Sequence, residues 1–383
     1  MSLLRLVEPV PVRAADLTRV DAAEGSGAHG AGEDGEEIVA HPLSVRASAR
    51  PAITGTGRAC LGGAADGRIV RVKTLELPQT DLTASDIIVG LMRINDMSDE
   101  DIRSLYSASR DAGVTMFDHA AVYGGWHGCE ERFGAAVTLS PSERAEIVLQ
   151  TKVGIRPTAN GAYFDFSYEH ILESVEDSLT ALQTDYVDVL LLHRPDALVE
   201  PEVVAKAFDE LHAAGKVHHF GVSNHTPGQV ELLKQHVRQP LAFNQVQLSI
   251  THANVIAQGV SANMGGVDQS IDRDNDILNH SRANGVTLQA WSPFQKGFFD
   301  GVFLGDREQY AELNDVLDEV AAAHGVTSTG IAVAWITRHP AHFQVVLGTT
   351  NPQRVRDSAA GSDVELSREE WYRIFSAAGH LVP

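Results

Sequence analysis

The chain has 383 residues, 43% hydrophobic and 21% charged, with a formal net charge of −21. That apolar share is enough for a sizeable core, and the surplus of acid disfavours DNA, RNA and anionic membranes, whose phosphates would repel it. Two cysteines, Cys60 and Cys129, without a CxxC pair argue against a disulfide framework and for a reducing, cytoplasmic setting.

Met1 to Val12 carries an apolar stretch broken by Arg5 and Glu8, too short and too charged for a signal-peptide core. No segment approaches the uninterrupted apolar length of a membrane helix. Gly, Ala, Ser and acids dominate the start, and no aromatic residue precedes Tyr106. Such a segment cannot bury enough surface to offset its ordering entropy, so residues 1–66 are expected to be a disordered extension. The literal GxGxxG at Gly30–Gly35 lacks a preceding strand and a following helix. Glu33 and Asp34 would also face a pyrophosphate, so it is read as an accident of composition.

From residue 67 to 383 the pattern becomes regular. Arg68–Leu77 alternates polar and apolar residues, as a half-buried hairpin or strand does. A buried-type strand is predicted at Asp86–Met92, then a helix with Ser98 as N-cap and acids in its first turn. Further strands are predicted at Gly113–Asp118, Glu146–Lys152, Tyr186–His193, Val217–Val222, Ala242–Val246, Val286–Trp291 and Phe343–Leu347. Between them, Val204, Phe208 and Leu211 mark one helix face that ends at Gly215. A last helix spans Ser367 to Ala378. About eight strand–helix alternations, with Val/Ile/Leu-rich strands, predict an α/β fold: a (β/α)8 TIM barrel with an N-terminal β-hairpin. The glycine-rich apolar insert at residues 294–305 suits either a lid or a hydrophobic loop packed on the barrel.

Chemistry is expected at the carboxyl ends of barrel strands. Asp118, Lys152 and His193 close the second, third and fourth predicted strands, and Tyr123 follows Asp118 on a loop. This set suits carbonyl reduction. A phenol, with an ordinary pKa of about 10, is made a better proton donor by an ammonium beside it. Lys152 can supply that cation, Asp118 can hold it in place, and His193 can hydrogen-bond the substrate oxygen as charge develops. His127, Cys129 and Glu130 match no closed zinc pattern, and no metal is expected. Trp126 and His127 are read as a loop bordering the substrate pocket, or as plain surface.

These segments resemble the aldo-keto reductase family, in particular a bacterial branch of predicted oxidoreductases. The matching stretches are residues 115–124, 150–152, 185–196, 215–224, 244–247, 289–293 and 345–350. The resemblance implies a catalytic tetrad of Asp118, Tyr123, Lys152 and His193, and a nicotinamide cofactor across the barrel mouth. It implies that Ser223, Asn224 and Gln245 hold the carboxamide, Trp291 stacks on the nicotinamide, and Ser292, Lys296 and Gly297 lie at the pyrophosphate. Thr349, Thr350 and Arg354 fall where a 2′-phosphate is read, and Asp357 near the adenine. Gly348 stands where many members have a Lys. Arg354 can still grip a phosphate at two points, so NADP(H) is expected over NAD(H). The expected activity is reduction of aldehydes or ketones to alcohols, with Tyr123 as general acid. The alternative is a cofactor-binding regulatory subunit with little turnover, since the resemblance extends to potassium-channel β subunits.

Overall fold

In the computed structural model, the described residues are 72–298 and 300–383. The expected extension, the GxGxxG run and Cys60 lie outside them, as do residues 67–71.

The described residues begin with a hairpin, β1 (Thr74–Glu76) antiparallel to β2 (Thr83–Ser85), of which only β1 falls within the Arg68–Leu77 alternation. Leu77 and Ala84 turn inward and pack with Ile88, Met116, Val189, Leu191 and Val346. The hairpin therefore seals the end of the barrel at which the strands start, leaving the other end open for chemistry.

Eight parallel strands close the barrel. In chain order they are β3 (Ile87–Gly90), β4 (Met116–Asp118), β5 (Val148–Val153), β8 (Val187–Leu192), β9 (Val217–Ser223), β10 (Leu241–Gln247), β11 (Thr287–Trp291) and β12 (Gln344–Leu347). Each pairs with the next, and β12 returns to β3. All eight predicted strands are present, shifted by at most a few residues. Their side chains are buried both inward and outward, because helices cover the outside.

The covering helices start where the local chemistry dictates. Ser98 caps Asp99–Asp111 by accepting from the backbone N–H of Asp101. Pro201–Ala213 buries Val204, Phe208 and Leu211, and Gly215 follows it in the left-handed region at φ 70°. Arg368–Ala377 starts with a capping box between Ser367 and Glu370 and stacks Trp371 on Trp335 at 4.9 Å. No single described helix is long and apolar enough to cross a membrane. The pair Ala311–His324 and Ser328–Thr337 passes that test only jointly and bends by 90°.

One hairpin was not predicted: β6 (Ile155–Thr158) and β7 (Gly161–Phe164) pair antiparallel straight after β5. Its residues are mostly exposed and carry Pro157, so it offers little of the alternation by which strands are read.

Candidate active site

The polar groups converge at the open end. Asp118 ends β4, Lys152 lies near the end of β5, and His193 directly follows β8. Tyr123 sits on the loop after β4, which is pinned to β5 by His119 N–H to the Gln150 carbonyl (2.8 Å) and Ala121 N–H to the Lys152 carbonyl (3.0 Å). The turn after Tyr123 requires glycine. Gly124 has φ +72°, and a Cβ there would meet Asn95 Oδ1 at 2.7 Å and the Cys129 backbone nitrogen at 2.8 Å.

Lys152 is fully buried. Its Nζ donates to Asp118 Oδ2 (2.6 Å), the His119 carbonyl (2.8 Å) and Tyr123 Oη (3.2 Å). An ammonium has three hydrogens, so all are committed, one to the phenol. Asp118 Oδ1 accepts two further bonds, from Gln150 Nε2 (2.6 Å) and Gln245 Nε2 (3.1 Å). Both amides also donate to Gln289 Oε1, and Gln289 Nε2 donates to Gln150 Oε1 and Gln344 Oε1 at 3.1 Å. Four buried glutamines on β5, β10, β11 and β12 thus form a bonded layer beneath the Asp–Lys pair.

Electrostatics set the protonation states. Burial pushes the Tyr123 phenol above its ordinary value, and this outweighs the opposing pull of Lys152. That corrects the expectation of a lowered phenol, which weighed the ammonium without the desolvation. Burial alone would depress Lys152, but Asp118 and then Tyr123 raise it on balance. His193 falls well below the usual imidazole range through burial, with Lys152 and Arg194 adding to the effect. Its ring is neutral at pH 7 and stands edge-on to Tyr123, with centroids 5.8 Å apart.

A cavity of about 740 Å³ opens over these groups. Asp118, Tyr123, His193, Ser223, Asn224, Gln245, Trp291, Ser292, Thr349 and Arg354 all line it. Lys152 lies behind Asp118 and Tyr123. Asn224 and Ser292 take left-handed backbone at φ 61° and 55°, where strands β9 and β11 end. Asn224 Nδ2 donates to Ser223 Oγ (2.7 Å), and Asn224 Oδ1 accepts from Trp291 Nε1 (3.0 Å). The indole is therefore held at a fixed angle over the cavity.

A family model for the aldo/keto reductase family matches residues 86–378.

The chain belongs to the aldo/keto reductase family.

Among similar proteins, the uncharacterized oxidoreductase YcsN of Bacillus subtilis is 36% identical over 313 residues, covering 79% of this chain and 97% of that protein. A 6-dehydroglucose reductase of Agrobacterium fabrum is 33% identical over 307 residues, covering 78% and 95%. A thermostable aldo-keto reductase solved with the inhibitor epalrestat superposes with a TM-score of 0.63 at 26% identity, covering 80% of this chain and 100% of that one.

In this aldo/keto reductase, the remaining expected site residues lie outside the cavity lining. Lys296 pairs with Asp306 and donates to Gln309 (3.0 Å), which holds its ammonium on its own loop. Gly297 lies on that loop, Thr350 is partly buried, and Asp357 accepts from Gln353 (2.9 Å) within helix Pro352–Ser362. His127 corrects its reading as surface or pocket border: it is 3% exposed and bonds Glu130, which also accepts from Thr151 and Ser178. Trp126 stacks on His170 instead of entering the cavity. Among the described residues, no group of His, Cys, Asp and Glu has a metal-holding arrangement.

The sequence reading missed lining residues from other elements, among them Arg93, Arg194 and Thr329. Arg93, on the loop after β3, donates from Nη1 to the Gly348 carbonyl at 3.1 Å. It brings a cation to the position whose lysine is absent. No local motif marks it, because residues 93 and 348 meet only through the β12–β3 closure. The described part of the 294–305 insert both packs on the barrel and borders the cavity. Phe303 is fully buried, while Phe294, Gln295, Phe298, Val302 and Leu304 border the cavity.

Proposed function

We propose that this protein is an NADP(H)-dependent reductase of aldehyde or ketone carbonyls, with Tyr123 as the general acid. The hydrogen bond from Lys152 to Tyr123 carries the reading. With all three ammonium hydrogens donated, the phenol accepts from Lys152 and its own proton is left to point into the cavity. A phenol is protonated at neutral pH, and burial moves Tyr123 further in that direction.

The residues fit a nicotinamide cofactor. Gln245 spends both amide hydrogens on Asp118 and Gln289, which leaves its Oε1 as the acceptor for a carboxamide, beside Ser223 and Asn224. Arg93, Thr349 and Arg354 gather on the far side of the same cavity, a donor set suited to phosphate. Ser292 borders the cavity, whereas Lys296, Gly297, Thr350 and Asp357 lie outside its lining. A bound dihydronicotinamide would supply the hydride that reduces the carbonyl carbon.

The chain's own residues handle the proton and the charge. Neutral His193 can donate a hydrogen bond to the substrate oxygen. Tyr123 Oη then gives its proton to that oxygen, and the phenolate left behind sits 3.2 Å from the Lys152 ammonium. Asp118 offsets the buried cation throughout. Microscopic reversibility makes Tyr123 the base for alcohol oxidation.

The test is loss of NADPH absorbance on a panel of aromatic aldehydes, dicarbonyls and sugars, repeated with Tyr123→Phe. The expected result is turnover that falls by about 10²–10⁴-fold in the variant, with NADPH affinity retained. Tight NADPH binding without turnover on any substrate would favour the regulatory-subunit alternative. Turnover that survives in Tyr123→Phe would remove the phenol from the mechanism.

A further inference from the structure

The cavity carries an unusual charge balance for so acidic a chain. Against a net charge of −21, it is lined by Arg93, Arg194 and Arg354, and among the described residues Asp118 is the one acidic residue in its lining. Asp118 is already paired with Lys152. Among the described residues, none of the three arginines has a carboxylate within ion-pair distance, whereas the buried Arg144 pairs with Asp188 at 2.8 Å and the half-buried Arg156 pairs with Asp165 at 2.8 Å.

The three divide into two groups by position. Arg93 and Arg354 lie with Gly348 and Thr349, the group read above as a phosphate site. Arg194 lies at the other end. It directly follows His193, its guanidinium stands 5.6 Å from the centroid of the Trp291 ring, and it is close enough to His193 to help keep that imidazole neutral. It is partly buried, and among the described residues it makes neither a hydrogen bond nor an ion pair. Desolvating a guanidinium costs free energy unless something compensates, and a cation–π contact compensates only in part. Its planar fork, aimed into a cavity beside the proton donor, is complementary to a carboxylate or phosphate.

We propose that Arg194 is a substrate-binding residue and that the carbonyl substrate carries an anionic group, a carboxylate or a phosphate. The carbonyl faces Tyr123 and His193 while the anion rests on Arg194. The pair holds the carbonyl in one orientation, which converts binding energy into alignment. This rests on the carbonyl-reductase reading above.

The experiment compares matched substrates with NADPH: 4-carboxybenzaldehyde against its methyl ester, and glyceraldehyde 3-phosphate against glyceraldehyde. The wild type is expected to prefer at least one anionic member by about ten-fold in kcat/KM, and the preferred pair identifies the anion. Arg194→Gln is expected to lower kcat/KM for that anion about ten-fold more than for its neutral partner, mainly through KM, with Arg194→Lys recovering part of the preference. Equal use of both members of each pair by the wild type, or equal losses for both in Arg194→Gln, would overturn the proposal and leave the reductase reading intact. If neither pair is reduced, the reductase reading is what has failed. Calorimetric titration of the enzyme–NADP+ complex with 4-carboxybenzaldehyde and with glyceraldehyde 3-phosphate then decides on binding alone. Binding of either that weakens about ten-fold in Arg194→Gln supports the anion site, and binding that is absent or indifferent to the substitution rejects it.

Discussion

Lys152 Nζ, fully buried, donates to Oη of the half-buried Tyr123 across 3.2 Å. The contact joins a strand to a loop and depends on Asp118, which takes a second hydrogen of the same ammonium. Lys152→Met removes the cation and leaves the Asp118 carboxylate buried without its counter-charge. A loss of about 3–5 kcal/mol in stability is expected, because an unpaired buried charge is costly. Lys152→Met with Asp118→Asn should recover part of that stability but not the activity. Urea denaturation of the two variants checks this. A single variant as stable as the wild type would mean that the pair is not buried in solution.

Arg354 and Arg93 bear on cofactor choice. Arg354→Ala is expected to weaken NADPH binding by about 10–100-fold, the scale of a lost charge-assisted hydrogen bond, with a much smaller effect on NADH. Arg93→Ala should act in the same direction. Fluorescence titration with each dinucleotide measures it, and equal losses for both cofactors would take the 2′-phosphate away from these residues.

The glutamine layer offers a test of positioning. Gln289→Leu leaves the amide hydrogens of Gln150 and Gln245 and the Gln344 carbonyl without the partners they now have. A stability loss of about 1–3 kcal/mol is expected. Asp118 would also be held less firmly, so kcat should fall more than KM changes. A stable variant with normal kcat would reduce the layer to filling.

Acid stability follows from buried imidazoles. His119 is fully buried, and neither ring nitrogen has a hydrogen-bond partner among the described residues. Burial depresses its pKa from 6.5 to about 4, with Glu130 and Asp118 opposing. The unfolded chain takes up the proton first, so the stability His119 contributes is complete above pH 6.5 and declines as pH falls toward 4. The full loss for this group is roughly 3 kcal/mol. Melting temperatures between pH 7 and pH 4 should fall less steeply in His119→Leu than in the wild type, and parallel curves would show that His119 is not the group responsible.

Much of this was legible beforehand. Parallel strands buried on both faces announce themselves as runs such as Val187–Leu192, and capped helices by residues such as Ser98 and Ser367. A strand's end also tells which side chains can meet at a barrel mouth, so Asp118, Lys152 and His193 could be grouped from position alone. The β6–β7 hairpin, mostly exposed, left no such trace.

Order along the chain thus determined the barrel, its eight strands and the residues carried to its open end. Tertiary structure alone decided what those residues became. The depth of burial turned the expected fall in the Tyr123 pKa into a rise, and barrel closure brought Arg93 to Gly348. The same closure gathered glutamines from four strands under Asp118 and left Arg194 facing the cavity without an acidic partner among the described residues. Periodicity encodes which face of an element is buried; desolvation and pairing between residues on different strands depend on distances that no local pattern records.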